Sequence, residues 1–353
     1  MRDSLKLETE KLARSWMQHD ANKLCDYLVS SVEDPRLNVQ SILSRHFLLR
    51  QLFHEQFEEL MQQEIRFAAA MNWLVDMAGQ LGDSSDLEII HYALRRGADN
   101  AEGIQIPGFV LQTFASLPGT IGSLTIPNYV QTFLTETNFT EGKSFPSSIA
   151  LKIFQILWSQ ILAAEAPAEG PTQDRARLSV LEPACGSAND YRFLVSYGIA
   201  AFLDYTGFDL CAKNIENAQS LFPLTRFEEG NVFELSAPEK SFDLCYAHDL
   251  LEHLSLEGLD AAVREICRVT RHGICISFFQ MDERPEHILR PLDEYHWNLL
   301  SLKKTRALFA EHGFASQIIH VSSFLRQQFN CDYSHNSNAY TLILHPVSVT
   351  NPS

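Results

Sequence analysis

The stretch from Leu178 to Phe193, LSVLEPACGSANDYRF, constrains the fold of this chain more than any other. It begins with apolar residues typical of a β-strand and ends that strand at Pro183, which cannot continue a hydrogen-bonded ladder. The small residues Ala184 to Ala188 follow, and a turn of small residues lets a ligand approach the backbone closely. Ser187 or Asn189 is expected to cap the next helix, whose free amide groups attract an anionic group. This order predicts a ligand site, although many similar turns hold no ligand.

Beyond this stretch, strand-like and helical patterns alternate. Apolar runs typical of strands occur at 178–181, 202–208, 225–228, 242–247, 273–279, 316–321 and 339–344. Such alternation predicts an α/β fold with a doubly wound, mostly parallel seven-stranded sheet that carries helices on both faces. Because ligands in that architecture bind at the carboxyl ends of the strands, residues directly after strands are the candidates for chemistry.

The first half of the chain shows helical periodicity, with apolar residues at three- and four-residue spacing. We expect residues 1–165 to form an all-helical domain that acts as a cap, a substrate-binding surface or a dimerisation surface. Within it, residues 104–138 are either a substrate-facing segment or a buried connector. The apolar helix at 147–162 indicates burial between the two halves or in a homodimer. A linker at 166–177, rich in Ala, Pro and Glu, leads to a second domain at 178–353.

Charge and cysteine usage exclude several function classes. A net charge of −16 at pH 7 repels phosphate backbones, so we expect no nucleic-acid partner. The sequence has no apolar run of about 18 residues, so we expect no membrane span, and its first residues lack the apolar core of a signal peptide. Seven cysteines without a CxxC pair indicate reduced thiols and no zinc site. We therefore expect a cytoplasmic protein without a metal.

Two later positions suit a nucleoside ligand. Asp209 ends the second predicted strand some twenty residues after the small-residue turn, where a doubly wound fold receives the hydroxyls of a ribose. The alternative for Asp209 is a helix-capping role. Asn231 follows the third strand, and its amide suits the edge of an adenine while Val232 and Phe233 wall the ring face.

Taken in order, these blocks resemble the class I S-adenosylmethionine-dependent methyltransferases, whose turn usually reads acid-x-Gly-x-Gly-x-Gly. SFDLCYAHDLLEHL resembles the fourth-strand block of the family, with its Glu-His pair at Glu252 and His253. YHWNLLSLKKTRALFAEHGF resembles its late helix, which closes at Gly313 and Phe314. The resemblance covers residues 178 to about 345 and implies a Rossmann-like methyltransferase.

The resemblance also implies S-adenosylmethionine as the cofactor and S-adenosylhomocysteine as the product. The residues implied to contact the cofactor are Glu182 as the turn acid, Ala184, Gly186, Ser187, Asp209, Leu210, Asn231, Val232, Phe233 and His248. Two of the three turn glycines are replaced, by Ala184 and Ala188, and Asn231 stands where the family usually has an acid. These departures leave room for a protein that binds the cofactor without transferring methyl.

Methyl transfer from a sulfonium is an in-line displacement, so holding the acceptor opposite the sulfur supplies most of the acceleration. A base is needed only when the acceptor must lose a proton. The candidates for catalysis are His248, Asp249, His253 and His296, and those for acceptor binding are Tyr295, His296 and Trp297. Each has a structural alternative, since His253 suits a structural hydrogen bond, Asp249 a helix cap, and the aromatic residues a domain interface.

For the acceptor, the sequence favours a small molecule, such as a natural product, bound under the helical half. One alternative is a protein or peptide methyltransferase that uses the helical half as a docking module, because an acidic enzyme suits a basic partner. The other is a protein that uses S-adenosylmethionine without methylation. No motif distinguishes an oxygen, nitrogen, carbon or sulfur acceptor.

Overall fold

The structure is a computed structural model that describes residues 2–17, 38–81, 99–101, 104–121, 153–165, 177–332, 334 and 336–347. The predicted linker lies outside these residues except for its last position. Residues 122–138 of the proline- and glycine-containing segment, and residues 147–152 of the predicted apolar helix, also lie outside them.

The described residues of the first half of the chain lie mainly in helices, as its periodicity predicted. The helices are α1 (Asp3–Met17), α2 (Val39–Phe53), α3 (Glu58–Leu81), α4 (Gly108–Ile121) and α5 (Ile153–Glu165). One departure from the all-helical prediction is a small antiparallel pair, β1 (Asn100–Ala101) with β2 (Ile104–Gln105). Asn38 caps α2, since its side chain accepts a hydrogen bond from the amide of Gln40.

The second half forms the predicted doubly wound sheet. Its seven strands are β3 (Leu178–Pro183), β4 (Leu203–Asp209), β5 (Arg226–Glu229), β6 (Phe242–His248), β7 (Thr270–Phe278), β10 (Phe314–His320) and β11 (Tyr340–Pro346). Their order is β10-β11-β7-β6-β3-β4-β5. All pairs are parallel except those that β11 makes with β7 and β10. A separate two-stranded pair joins β8 (Met281–Asp282) to β9 (Leu300–Ser301).

The connecting helices alternate with the strands. They are α6 (Asn189–Ser196), α7 (Ala212–Leu221), α8 (Leu256–Val269), α9 (Leu302–Glu311) and α10 (Val321–Phe329). The register pairs Pro183 with Phe208 and His248 with Ser277, so the segments that follow β3, β4 and β6 reach the same edge of the sheet. We call this the carboxyl edge.

Successive residues of a strand point to opposite faces of the sheet, and the core follows that rule. Val180 belongs to an apolar cluster with Phe47 of α2 and Trp158 of α5, whereas Leu181 belongs to a second cluster with Leu5 of α1. The helical half therefore shares its hydrophobic core with both faces of the sheet.

The apolar helix that suggested either a domain contact or a dimer is α5. Its buried side chains are Ile153, Phe154, Leu157, Trp158 and Leu162, and all five belong to the cluster shared with the sheet. Burial between the two halves therefore accounts for this apolar face. In the described part of residues 104–138, Ile106 and Val110 are also buried, as expected of a connector.

Within the described ranges, no helix is both long and apolar enough to cross a membrane. The same residues contain no group of three or more His, Cys, Asp or Glu side chains arranged to hold a metal ion. The cysteine thiols that the structure describes are free and buried.

Candidate functional site at the carboxyl edge

The turn after β3 has an unusual backbone. Ala184, Gly186 and Ala188 all adopt left-handed conformations, with φ of 58°, 55° and 64°. Glycine adopts this conformation readily, whereas alanine is strained in it. The two alanines thus keep the backbone path that glycines would favour, and the turn retains its shape despite the substitutions.

The end of β4 holds this turn in place. The amide of Cys185 donates to the carbonyl of Phe208, and the amide of Gly186 donates to Oδ2 of Asp209 at 2.9 Å. A Cβ atom at position 207 would lie 2.8 Å from the Cys185 sulfur, so Gly207 is needed for this close packing. The predicted cofactor segments after β3 and β4 therefore form one unit.

Asp209 lies where the sequence placed the ribose acid, and it also organises its own loop. Its Oδ1 accepts from the amide of Cys211 at 2.8 Å and from the side chain of Asn214 at 3.1 Å. Burial raises the pKa of Asp209, while these hydrogen bonds and the one from Gly186 lower it in part. Leu210 is half-buried beside it.

The expected cap of α6 is wrong. The N-cap residue is Ala188, which makes no side-chain capping bond. Ser187 instead donates to Oδ1 of Asn214 on α7 and accepts from Asn217, at 3.2 Å each. Ser187 is turned toward α7 because the left-handed residues on both sides of it redirect the backbone.

Glu182, the acid of the family turn, lies inside the sheet. Its Oε2 accepts hydrogen bonds of 2.5 Å from the hydroxyls of Tyr205 and Tyr246 on the two neighbouring strands. Burial, followed by the charge of Asp190, raises the pKa of Glu182 well above its usual range. In this structure Glu182 ties three strands together, and its contact with a cofactor stays a prediction.

The predicted adenine side is covered by α1. Oδ1 of Asn231 accepts from the amide of Phe233 at 2.9 Å, and its Nδ2 donates to the hydroxyl of Thr9 at 2.8 Å. Val232 is half-buried and Phe233 is buried. The first helix of the chain is thus a wall of this part of the edge, which no motif in α1 indicated.

His248 ends β6 and meets the helical half. Its Nε2 lies 2.6 Å from the hydroxyl of Ser44 on α2, and its Nδ1 lies 2.8 Å from Oδ2 of Asp190 on α6. Burial raises the pKa of Asp190, but the His248 charge, the His248 hydrogen bond and Arg45 outweigh it, so the net shift is downward. Sequence reasoning did not single out Ser44 or Asp190.

Asp249 and His253 form a second pair just beyond β6. Asp249 has a left-handed φ of 49°, and its Oδ1 lies 3.1 Å from Nε2 of His253. Nδ1 of His253 lies 3.0 Å from the carbonyl of His296. Burial lowers the pKa of His253, but Asp249 and Glu252 raise it more, so the net shift is upward. Two acceptors facing the two ring nitrogens favour the imidazolium form. The helix that Asp249 was expected to cap, at residues 250–254, is a single 3-10 turn, Leu251–His253, without a side-chain cap.

The predicted acceptor residues gather around this pair. The ring centre of His253 lies 5.8 Å from that of Tyr295 and 5.1 Å from that of Trp297. Tyr295 and Trp297 are 37% and 39% exposed. Nδ1 of His296 is buried and has no hydrogen-bond partner among the described residues. These side chains form a partly open aromatic surface at the carboxyl edge.

Glu252 is buried and forms hydrogen bonds with segments next to this surface. Its Oε1 accepts from the amide of Phe279, and its carbonyl accepts from the amide of Asn298. Its Oε2 is buried without a hydrogen-bond partner in the described part of the chain. Burial, with the nearby Asp249 charge, raises the pKa of Glu252 to about 7.

The charge at this edge fits the implied cofactor. Asp209 is the last residue of β4, and Asp190 and Asp249 follow β3 and β6 at this edge. Carboxylates along one edge favour a cationic ligand. S-adenosylmethionine carries positive charges on its sulfonium and ammonium groups, so the donor set suits it.

The family comparison agrees with this geometry. Residues 181–277 match the family model described as a methyltransferase domain. The matched segment runs from β3 to β7 and includes the turn, Asp209, Asn231, His248 and His253. No curated protein matches the chain.

Several solved structures are similar to part of this chain. An S-adenosylmethionine-dependent methyltransferase from Methanosarcina mazei is 14% identical, with a TM-score of 0.37, over 49% of this chain and 93% of that one. One from Clostridium acetobutylicum is 10% identical, with a TM-score of 0.37, over 54% and 91%. The cyclase SpnF is 16% identical, with a TM-score of 0.38, over 60% and 86%. Residues 181–277 thus match a methyltransferase domain, and the seven-stranded, mostly parallel sheet has the class I methyltransferase-like architecture that the motifs predicted.

Proposed function

We propose that this protein transfers the methyl group of S-adenosylmethionine to a small-molecule acceptor. The observation that carries the proposal is the turn after β3, whose three left-handed residues are held by the hydrogen bond from Gly186 to Asp209. This unit lies within the segment that matches a methyltransferase domain. It places the turn and the Asp209 carboxylate at the carboxyl edge of the sheet, where a doubly wound fold binds a nucleoside cofactor.

Residues of several segments would hold the cofactor. They are Ala184 to Ala188 after β3, Asp209 and Leu210 after β4, and Val232 and Phe233 after β5. When bound, S-adenosylmethionine supplies a methyl carbon on a cationic sulfonium, which makes that carbon electrophilic. Because the side chain of Asn231 is already bonded to Thr9 and to the Phe233 amide, α1 would share in enclosing the adenine.

The aromatic surface at Tyr295 and Trp297 would receive the acceptor. Partly exposed rings bind planar or apolar molecules, and polar groups beside them fix the orientation. The side chain of Asp249 is 49% exposed, and its Oδ1 lies 3.1 Å from Nε2 of His253. An acceptor that loses a proton during methyl transfer would deliver it to the carboxylate of Asp249, which would become protonated in that step.

The packing of the helical half favours a small acceptor over a docked protein. Helix α2 lies on the sheet, with Gln40 donating to the carbonyls of Phe278 and Tyr340 at 3.0 and 2.9 Å. Such a helix is part of the core, whereas a docking module stands apart from it. Because α2 is fixed in the core by these hydrogen bonds, it is not available as a docking module for a protein acceptor.

Isothermal titration with S-adenosylmethionine and S-adenosylhomocysteine tests the cofactor. Asp209→Ala removes the acceptor of three hydrogen bonds, so we expect affinity to fall by about 100-fold, or roughly 3 kcal/mol. The control is Asp204→Ala, an exposed carboxylate on the same strand, which should leave affinity within about twofold. Absence of binding heat from the wild-type protein with either compound would refute the proposal.

A second experiment identifies the acceptor class. The protein is incubated with methyl-labelled cofactor and with either the small-molecule or the protein fraction of a cell extract. Label in the small-molecule fraction supports the proposal, and label in the protein fraction would replace it with protein methylation. Substrate loss without S-adenosylhomocysteine would show use of the cofactor without methylation.

A further inference from the structure

Ser44, His248 and Asp190 form a hydrogen-bonded chain across three elements. The chain runs from α2 through the end of β6 to the first turn of α6, with distances of 2.6 and 2.8 Å. His248 has a side chain that is only 12% exposed, and Ser44 is buried. Both ring nitrogens of His248 are therefore engaged within the protein.

The charge on Asp190 determines the protonation of the neutral ring. Ser41 donates a hydrogen bond to Asp190 and the charge of Arg45 lowers the pKa of Asp190, so both favour an ionised carboxylate, which can only accept hydrogen bonds. Nδ1 of His248 must then carry the proton that it donates to Asp190. In the neutral ring, the unprotonated Nε2 accepts a hydrogen bond from the Ser44 hydroxyl, so only one of the two neutral tautomers satisfies all three groups.

This arrangement has the order of a nucleophilic Ser-His-Asp triad, but its surroundings do not suit that chemistry. The Ser44 oxygen also lies 3.2 Å from the carbonyl of Gln40 and 3.5 Å from the sulfur of Cys275. These neighbours enclose the hydroxyl, which leaves no room for a substrate carbonyl. The remaining role of Ser44 is to hold the ring.

A second contact from α2 holds Asp190. Ser41 donates to Oδ1 of Asp190 at 3.4 Å and accepts from the guanidinium of Arg45 at 2.9 Å. That guanidinium lies 4.3 Å from the ring centre of Tyr197. Helix α2 thus contacts both His248 and its carboxylate partner.

We propose that Ser44 and Asp190 are positioning residues that hold His248 in one tautomer and one orientation at the carboxyl edge. Through Ser44, the helical half completes the methyltransferase sheet at the strand end beside the cofactor turn. The effect on catalysis rests on the proposed function, whereas the fixed tautomer is a property of the protein alone.

The test combines nitrogen NMR of ¹⁵N-histidine-labelled full-length protein with steady-state kinetics. The signals of His248 are assigned by their absence from the spectrum of His248→Gln. We expect them to show a single tautomer, protonated at Nδ1. Ser44→Ala should give a mixture of tautomers and lower kcat about tenfold, with KM for the cofactor changed less than about twofold. Ser44→Thr retains a hydroxyl and should restore both readouts.

The control is Ser159→Ala, which removes a helical hydroxyl bonded to the carbonyl of Ile156 on α5 and should change neither readout. Asp190→Asn offers both a donor and an acceptor to Nδ1, so it should also give mixed tautomers. A wild-type tautomer in folded Ser44→Ala and Asp190→Asn would overturn the proposal. A single tautomer in a protein without methyl transfer would instead refute the proposed function and leave the positioning role standing.

Discussion

Two histidines follow one another closely at the end of β6, and their surroundings differ. His248 is enclosed by Ser44 and Asp190, whereas His253 faces the partly exposed Asp249, Tyr295 and Trp297. Both were catalytic candidates from the sequence. Their contacts show that His248 joins the two halves of the protein, whereas His253 lies on the surface that is open to an acceptor.

The backbone explains why neighbours in sequence reach different environments. His248 still belongs to the strand, so its side chain projects onto the face that α2 covers. Asp249 is left-handed and turns the chain away before His253. We call the two groups the closed side, formed by Ser44, His248 and Asp190, and the open side, formed by Asp249, His253, Tyr295 and Trp297.

The largest expected effect on stability comes from Glu64, which contacts Arg45 next to the closed side. Glu64 on α3 accepts from Trp158 and pairs with His46, each at 2.7 Å, and lies 3.6 Å from Arg45. Glu64→Ala leaves the Arg45 cation buried without its partner, so we expect a loss of about 3–5 kcal/mol in the free energy of unfolding. Urea denaturation measures it.

Glu64→Gln keeps an acceptor for Trp158 but not the charge, so its loss should be smaller than that of Glu64→Ala. A change below about 1 kcal/mol for the alanine variant would show that the closed side does not depend on this buried pair.

Under the open side, Glu252 should make stability depend on pH. Its pKa is raised from 4.5 in the unfolded chain to about 7, so its stabilising contribution is complete below pH 4.5 and is lost as pH rises to about 7. The full loss is about 3 kcal/mol. Glu252→Gln should abolish this dependence, as measured by unfolding free energies across that pH window. Parallel curves for the two proteins would contradict the prediction.

A smaller effect is expected within the open side itself. Asp249→Asn removes the exposed carboxylate that raises the pKa of His253, so that pKa should fall. Proton NMR titration of His253 measures it. If Asp249 receives the acceptor proton, kcat should also fall about 10- to 100-fold. The comparison of the two sides fails if the pKa of His253 is unchanged in Asp249→Asn.

The smallest effects concern the strained turn that both sides share. Ala184→Gly removes the strain of a left-handed alanine at an exposed position, which should raise the free energy of unfolding by about 1–2 kcal/mol. The greater conformational entropy of glycine in the unfolded chain lowers that gain by about 0.5–1 kcal/mol. We therefore expect slight stabilisation in thermal unfolding. Ala188→Gly relieves similar strain but removes a buried methyl group worth about 0.8 kcal/mol, so it should gain less. Equal stabilisation by both would show that the buried methyl contributes nothing.

The sequence by itself determined the seven strands, the turn after β3, the position of Asp209 and the methyltransferase motifs. These features are local, since alternating polarity and turn residues act over a few positions. The expected caps at Ser187 and Asn189 were wrong because three left-handed residues redirect the backbone there.

Only the tertiary structure decided which residues meet at the carboxyl edge. Thr9 reaches Asn231 and Ser44 reaches His248 across more than two hundred positions. The apolar stripes of α1 and α2 predict burial, but a stripe does not encode which surface covers it. Packing of these helices against the sheet determines which surfaces they cover. It also places His248 and His253 in different surroundings.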